Sequence, residues 1–399
     1  MELLHTDKKN AVLNSMIHII DRERDNIIKA NKQDLKAFDR EDQALYDRLV
    51  VNTAKVDGMI QAINEVRDQK DPVGTTISDM TLDTGLQIIN KTAPFGTIMI
   101  IYESRPDVTI EAAVVAFKAN NKILLKGGKE AINSNLILEK CWHEALEKNG
   151  LAKDWIKLLH LKREETQEFL KNPTEKIDLI VPRGGERLIK FVKNYATCAV
   201  LISGRGNNFL YVSKNANWKK ALKVIINAKT DKISGCNALD KVLIDKNIFN
   251  YEEKVSELQK TLEHVGVKLV VDKKIGTILT DEDQVPNEDM WYKEFLSMKI
   301  LIGEVDGLDE AITIINKYSG GHSSVIMTED KNEATTFMQH IDSAAVYHNA
   351  STRFTDGGQM GVGAELAIST DKLHHRGPLG LKQLVTNKYY VFGDGHVRI

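Results

Sequence analysis

Cys236 has the strongest claim to covalent chemistry in this chain because of what surrounds it. It lies in Asp231-Lys232-Ile233-Ser234-Gly235-Cys236-Asn237, a polar, turn-rich stretch between a helical pattern and an apolar run. A thiol held in such a turn is accessible and reacts as its thiolate, and loops between regular elements carry many catalytic groups. An inert small side chain fits the same local context, so the stretch alone leaves both readings open. The chain has three cysteines. Cys198 sits inside the apolar run 198–202, and Cys141 shares a helix face with Leu138, Trp142 and Ala145, so both read as core. No C-x-x-C pair occurs, which argues against a disulfide framework or a cysteine zinc site and for a reducing cytoplasm. His374 and His375 are adjacent and have no carboxylate at ligand spacing, so no metal site is expected.

A second group of residues could hold an anion. Lys126-Gly127-Gly128-Lys129 follows a strand pattern and precedes a helical one. Glycines there let backbone N–H groups approach phosphate, a helix start favours negative charge, and two lysines add point charges. Pro182-Arg183-Gly184-Gly185 repeats the arrangement in a neighbouring unit. Solvated turns are the plain alternative for each; the pair together points to a dinucleotide. Neither a Walker A motif nor G-x-G-x-x-G is present, and Gly361-Val362-Gly363 lacks the third glycine and the preceding strand. Arg353 and Asp356 lie in the polar loop 349–358, either as solvated charges or as contacts to an anionic substrate.

These residues need elements to position them. The first seventy residues read as charged amphipathic helices, with neither a signal peptide nor a membrane span. Residues 79–93 read as a β-hairpin turning at Thr84-Gly85. Strands are expected at 96–101, 122–126, 155–161 and 176–181, alternating with helices at 110–117, 130–147 and from Gly185. A second block follows. Its helical stripe carries Trp218, Ala221, Leu222, Ile225 and Ile226, and its strands are expected at 240–245, 266–272, 298–303, 323–328 and 344–348. The tail 385–399 reads as strand-turn-strand around Gly393 and Gly395. Strands alternating with helices imply parallel sheets covered on both faces, an α/β fold. The 399 residues exceed one ordinary core. A net charge of −2 excludes bulk nucleic-acid binding.

Several long motifs carry a resemblance. They are Pro94-Phe95-Gly96, Tyr102-Glu103-Ser104-Arg105-Pro106, Leu125 to Ala131, Asn227-Ala228-Lys229-Thr230 with Cys236-Asn237, and His348 to Gly357. Gly363-Ala364-Glu365, Ser369-Thr370, Leu373-His374 and Arg376-Gly377-Pro378 complete the set. Together they resemble the γ-glutamyl phosphate reductase family of the aldehyde dehydrogenase superfamily, along essentially the whole chain. The resemblance implies an aldehyde dehydrogenase-like α/β fold with two parallel-sheet domains and a small β oligomerisation element. The domains are expected at 1–230, binding NADP, and 231–360, carrying the nucleophile, with 79–93 and 380–399 forming the oligomerisation element. It implies NADPH-dependent reduction of L-glutamyl 5-phosphate to L-glutamate 5-semialdehyde in proline biosynthesis. The Cys236 thiolate would attack the acyl phosphate, and hydride would then reduce the thioester.

The implied site has Cys236 and Asn237 as catalytic residues. Lys126, Gly127, Gly128, Lys129, Arg183, Gly184, Gly185 and Glu294 would contact the cofactor, Glu294 at the nicotinamide ribose. Ser104, Arg105, Arg353 and Asp356 would contact substrate. Lys129 replaces the glutamate that binds adenosine ribose hydroxyls in ordinary aldehyde dehydrogenases, which favours NADPH over NADH. Leu201 replaces their water-activating glutamate, as suits an enzyme that must not hydrolyse its thioester. Ser104 replaces their oxyanion-binding asparagine, leaving the Cys236 backbone N–H as a candidate donor. Gly206-Asn207-Asn208-Phe209 also departs from the family pattern. A homo-oligomer and coupling to glutamate 5-kinase are the expected partnerships, with no membrane and no nucleic acid. Three rivals stand beside this reading, one of them a non-catalytic structural protein built on an enzyme fold, against which the intact Cys236 argues. An NADP-dependent dehydrogenase of another aldehyde would need a base at Leu201. A cofactor-free cysteine hydrolase or acyltransferase would need a histidine near Cys236 and leaves Lys126 and Lys129 unexplained.

Overall fold

The apolar runs do form strands, and their period-2 alternation decides which side chain joins which core. The computed structural model describes residues 2–38, 43–373 and 375–398; His374 and Ile399 lie outside them. It separates into two compact units. The first is Met1–Ile202 with Gly361–Ala367 and Leu379–Ile399, and the second is Ser203–Met360 with Ile368–Pro378.

The first unit opens with helices α1 (Thr6–Arg22), α2 (Arg24–Ala37), α3 (Gln43–Leu49) and α4 (Thr53–Asp68). Strands β1 (Thr76–Thr81) and β2 (Gln87–Pro94) form the expected hairpin, turned at Gly85 with φ 86°. Then come β3 (Thr97–Tyr102), α5 (Val108–Lys118), β4 (Lys122–Lys126), α6 (Ile132–Lys148), β5 (Ile156–Leu158), α7 (Arg163–Lys171), β6 (Leu179–Arg183) and α8 (Glu186–Tyr195). The parallel sheet runs β5-β4-β3-β6. Ile98, Ile100 and Tyr102 join a core with residues of α1, α4, α5 and α6. Met99 and Ile101, one step along the same strand, join the opposite core with Phe169, Leu170 and Val192. The C-terminal strand Val385–Phe392 pairs antiparallel with β2, completing a three-stranded sheet. The expected second tail strand does not form. Gly395 takes φ 69°, and His396 Nε2 lies 2.7 Å from the Thr84 carbonyl, drawing the chain across the hairpin turn.

In the second unit β7 (Asn208–Val212), α9 (Trp218–Thr230), β8 (Leu239–Asp245), α10 (Tyr251–His264), β9 (Lys268–Val271) and β10 (Asp283–Gln284) are followed by α11 (Asp289–Tyr292), β11 (Lys299–Val305), α12 (Leu308–Tyr318), β12 (Ser323–Met327), α13 (Lys331–His340) and β13 (Ala345–His348). Seven strands run in the order β10-β9-β11-β8-β7-β12-β13. Leu210, Val242 and Ile300 pack with α9 and α10, while Phe209, Tyr211 and Leu243 pack with α12 and α13. The division after Ile202 corrects the expected boundary at 230. Strand β7 lies between β8 and β12, so it and the helix that follows it fold with the second sheet. Among the described residues no helix is long and apolar enough to cross a membrane.

One buried amide ties the C-terminal return to the first sheet. Asn121 donates to the Leu384 carbonyl at 3.0 Å and to Ala116 at 3.2 Å, and its oxygen accepts from Gly96 N–H at 3.1 Å. Asn121→Ala orphans these groups in a dry core and is expected to cost about 2–3 kcal/mol. Urea denaturation of the two proteins checks this, and equal midpoints would mean that water replaces the amide.

Candidate active site

The turn that carries Cys236 is built by the end of α9 and the start of β8. Gly235 N–H donates to Lys232 O at 3.1 Å, and Ala238 N–H to Gly235 O at 3.0 Å, so two turns meet at the cysteine. Cys236 is half-buried, and none of the three cysteines is in a disulfide. The fully buried Asn208 holds this turn from behind. Its Nδ2 reaches the carbonyls of Cys236 at 2.8 Å, Ala238 at 2.7 Å and Gly206 at 3.0 Å, and its Oδ1 accepts from Ser323 N–H at 3.0 Å. Gly206 lies directly on the Cys236 backbone. A Cβ there would come within 2.6 Å of the Cys236 Cα and closer still to its carbonyl oxygen. Gly206 N–H donates to Glu294 Oε1 at 3.1 Å, which brings Glu294 to the same loop.

Asn237 and Arg353 meet on the other side of the turn. Asn237 Nδ2 donates to Thr355 O at 2.9 Å and Arg353 O at 3.3 Å, and its own carbonyl accepts from the Thr352 hydroxyl at 2.6 Å. Its Oδ1 is buried with no partner among the described residues. Arg353 Nε donates to Asp231 Oδ2 at 2.8 Å, and its Nη1 lies so close to Gly235 that a Cβ there would be 2.8 Å away. A guanidinium therefore stands over the residue preceding Cys236. Asp356 is exposed and uses one oxygen to accept from Gly358 and Gln359 N–H, so part of its role is to cap its own loop.

The remaining expected residues lie in the first unit, where the two Gly-Gly turns differ. Lys126, at the end of β4, folds its ammonium onto the Gly127 carbonyl at 2.8 Å, and burial lowers its pKa against the opposing pull of Glu130. Lys129 begins the 3-10 turn that leads into α6. It is exposed and makes no ion pair or side-chain hydrogen bond among the described residues. At the second turn the Glu103 carboxylate sits over the glycines. It accepts from Gly185 N–H at 3.4 Å and would lie 2.5 Å from a Cβ on Gly184. That turn already faces a carboxylate of the protein. Arg183, at the end of β6, is half-buried.

Ser104 is buried at φ 48°, and its hydroxyl and N–H both donate to Glu130 Oε1, at 2.9 Å and 2.7 Å. Arg105 Nη2 donates to the buried Asp107 at 3.3 Å, alongside Lys55. Leu201 is part of the first unit's core. Cys141 is buried as expected, and burial pushes its thiol up to about 12; Cys198, expected in the core, is instead half-buried against it, and burial raises its pKa as well. Among the described residues no group of three or more His, Cys, Asp or Glu could hold a metal. Sequence reasoning missed Asn208 as the clasp on Cys236, and it missed the buried Lys229, Asp240 and Lys241 beside Glu294. A run of Asn-Asn before an apolar strand was the available signal for the first; nothing in a strand pattern marks the others.

Comparison with known proteins bears on this arrangement. The sequence profile of the aldehyde dehydrogenase family matches residues 1–303 and 286–365. The gamma-glutamyl phosphate reductase of Dictyoglomus thermophilum is 40% identical over 400 residues, spanning 100% of this chain and 96% of its own. That of Thermotoga maritima is 42% identical over 397 residues, 98% of this chain and 94% of its own. The Thermotoga maritima crystal structure superposes with a TM-score of 0.94, covering 99% of this chain and 95% of that one.

The contact between Gly206 and Cys236 generates a prediction. Gly206→Ala forces the nucleophile's backbone to shift by more than a rotamer can absorb. Turnover is expected to fall about a hundredfold, the cost of an ångström-scale misplacement of a reacting atom, while circular dichroism stays native. Unchanged kcat in a folded variant would show that the loop yields freely.

Proposed function

Because this chain belongs to the aldehyde dehydrogenase family, we propose that it reduces L-glutamyl 5-phosphate to L-glutamate 5-semialdehyde and phosphate, using NADPH and a thioester on Cys236. Its full-length relatives are gamma-glutamyl phosphate reductases, and it is an oxidoreductase of proline biosynthesis. The observation that carries the covalent route is the half-buried Cys236 thiol in a turn locked by Asn208 and Gly206, with the Arg353 guanidinium at the same turn. The thiolate forms a bond to the acyl carbon, the carbon–oxygen bond to phosphate breaks, and phosphate leaves with the electron pair. Splitting the reaction this way replaces one hard displacement with two easier steps. Collapse of the reduced adduct returns the electron pair to sulfur and releases the aldehyde. Arg353 is the proposed contact for the substrate's negative charge, with Asp356 bordering it. Asn237 serves by holding the carbonyls of residues 353 and 355, and so the guanidinium. Ser104 and Arg105 have partners inside their own unit, Glu130 and Asp107, which leaves them a supporting part in substrate binding.

A nicotinamide cofactor is a property of the family, and the residues present fit NADPH. Bound NADPH supplies the hydride. Lys129, exposed and unpaired at the start of a helical segment, suits the 2′-phosphate. Gly127 and Gly128 with Lys126 form the adjoining turn, Arg183 with Gly184 and Gly185 the second, and Glu294 is the proposed acceptor for ribose hydroxyls. Glu103 over the second turn assigns the stronger phosphate contacts to the first.

The proposal extends to a homo-oligomer. The three-stranded sheet exposes Ile77, Met80, Tyr389 and Val391, apolar surface of the kind that partners cover. It extends also to the cytoplasm, where thiols stay reduced, and to functional coupling with glutamate 5-kinase, whose acyl phosphate product is labile.

Two outcomes test this reading. Cys236→Ser should abolish phosphate-dependent reduction of NADP⁺ by glutamate semialdehyde while NADPH still binds, because a serine hydroxyl is not ionised near neutral pH; substantial turnover would remove the covalent route. Lys129→Glu should lower kcat/KM for NADPH by about ten- to a hundredfold, the worth of a charge-assisted phosphate contact, and leave NADH use similar or better. An unchanged NADPH:NADH ratio would pass the 2′-phosphate to another cation such as Arg183.

A further inference from the structure

The segment between α11 and β11 has almost no regular structure, and side chains of its own unit hold four backbone groups at the end of α11 and just beyond it. Asn207 Nδ2 donates to Trp291 O at 2.7 Å, and Arg205 Nη1 to Tyr292 O at 3.2 Å. Lys241 Nζ donates to Lys293 O at 2.7 Å, and Asp240 Oδ2 accepts from Phe295 N–H at 2.9 Å. Glu294 lies in the middle of this clamp, and Leu296 beyond it takes a strained φ of 49°. Two of the clamping residues are neighbours on β8, where regular alternation would send them to opposite faces. The register against β7 shifts there: Asn208 aligns with Leu239 and Phe209 with Lys241, so Asp240 stands unmatched. Such a bulge re-aims side chains and recurs beside active sites.

Lys241 is the unusual member. It is fully buried, and its ammonium lies between Lys293 O and Asn207 Oδ1 at 2.8 Å, above the Phe295 ring at 3.9 Å from the centroid. It makes no ion pair among the described residues, because the neighbouring carboxylate, Asp240, is held by Lys229 at 3.0 Å. A buried charge whose direct contacts are dipoles and a ring is costly, and an apolar residue would fill a strand interior as well.

We propose that Lys241 is a positioning residue for the reaction, locking the Glu294 segment to the Gly206–Asn208 loop and, through the Gly206 contact, holding Cys236 in place. The inference rests on the reading of Cys236 and Glu294 given above. The lysine's surroundings add a pH dependence. Burial pushes its pKa down to about 7; Asp240 and Glu294 oppose this, and Lys229 and Arg205 reinforce it. As pH rises through that value the neutral amine keeps two N–H donors and loses its attraction to the ring, so the lock loosens on the alkaline side.

The test uses Lys241→Met, Lys241→Arg and Phe295→Leu in the full chain, each checked by thermal melting. Cys236 alkylation by iodoacetamide, measured without cofactor and corrected with Cys236→Ser, reads the nucleophile directly. Lys241→Met is expected to change that rate severalfold and to lower kcat by about tenfold or more, as misplacement of a reacting group does, with Lys241→Arg recovering part of it. Phe295→Leu keeps both hydrogen bonds and removes the ring, so it should move the alkaline loss of kcat to lower pH. A folded Lys241→Met with wild-type alkylation and kcat would overturn the proposal. If that variant does not fold, a Phe295→Leu protein with an unshifted pH profile overturns it equally. Turnover surviving in Cys236→Ser would instead defeat the nucleophile reading and leave the alkylation comparison intact.

Discussion

The second unit depends on one close approach, the backbone of Gly206 lying on the backbone of Cys236. A side chain can relieve a clash by changing rotamer; two stacked main chains cannot. The loops on either side must therefore be fixed independently of the contact, and they are. A Cβ on Gly204 would come within 2.6 Å of Gly320 O, and one on Gly320 within 2.7 Å of the Arg205 carbonyl carbon, so the loop before β12 interlocks with the loop before β7. Glycine is needed at these places for close packing, whatever φ they adopt. Irregular backbone packed this tightly exposes polar groups that water cannot reach, and each needs a partner. That is why the interior beside the nucleophile carries Asn207, Asn208 and Asn237 where apolar side chains would otherwise pack.

The same requirement accounts for the hydroxyl chain behind Asn237. Ser323 Oγ, Thr355 Oγ1 and Tyr347 OH are linked at 2.6 Å and 2.7 Å, and Ser323 Oγ lies 2.8 Å from His322 Nδ1. Burial pushes His322 down to about 4, so it is neutral at working pH and acts as a hydrogen-bonding spacer. The chain fixes residue 355, whose carbonyl Asn237 holds, and so the Arg353 turn. The buried pair Lys229–Asp240 belongs to the same economy of orientation. Apolar replacements of matched volume would cost little stability, and they could not anchor the Phe295 N–H.

Legibility in the sequence follows the range of the forces involved. Strand positions in both parallel sheets were readable because burial on two faces leaves short apolar runs, as at 122–126, where expectation and structure coincide. Cys236 was readable because a polar turn between a helix and a strand is a local pattern. The clamp on residues 291–295 was not, since Asp240 and Lys241 sit in a run that reads simply as a strand and their partners lie on other elements. Strand β7 was obscured by its polar opening at Asn207 and Asn208, and losing it moved the expected boundary between units. The second tail strand failed because a long-range bond from His396 to Thr84 captured a segment that local pattern assigned to a strand.

The Lys126-Gly127-Gly128-Lys129 turn shows where a motif stops being informative. In the sequence both lysines flank glycines at a strand end, and only the resemblance to the wider family sets Lys129 apart. In the structure burial separates them. Lys126 is half-buried, and its ammonium answers the turn's own carbonyl, a role for which a lowered pKa is the cost. Lys129, three residues on, is exposed and has no ion pair or side-chain hydrogen bond among the described residues. An exposed cation is freer to meet a dianionic phosphate than one folded onto its own turn, and this is the physical basis of the proposal that Lys129 reads the 2′-phosphate. Lys126 holds the Gly127 carbonyl of the turn instead. Two lysines of one short motif thus stand in different environments by nothing more than how deeply the strand end is set in its sheet.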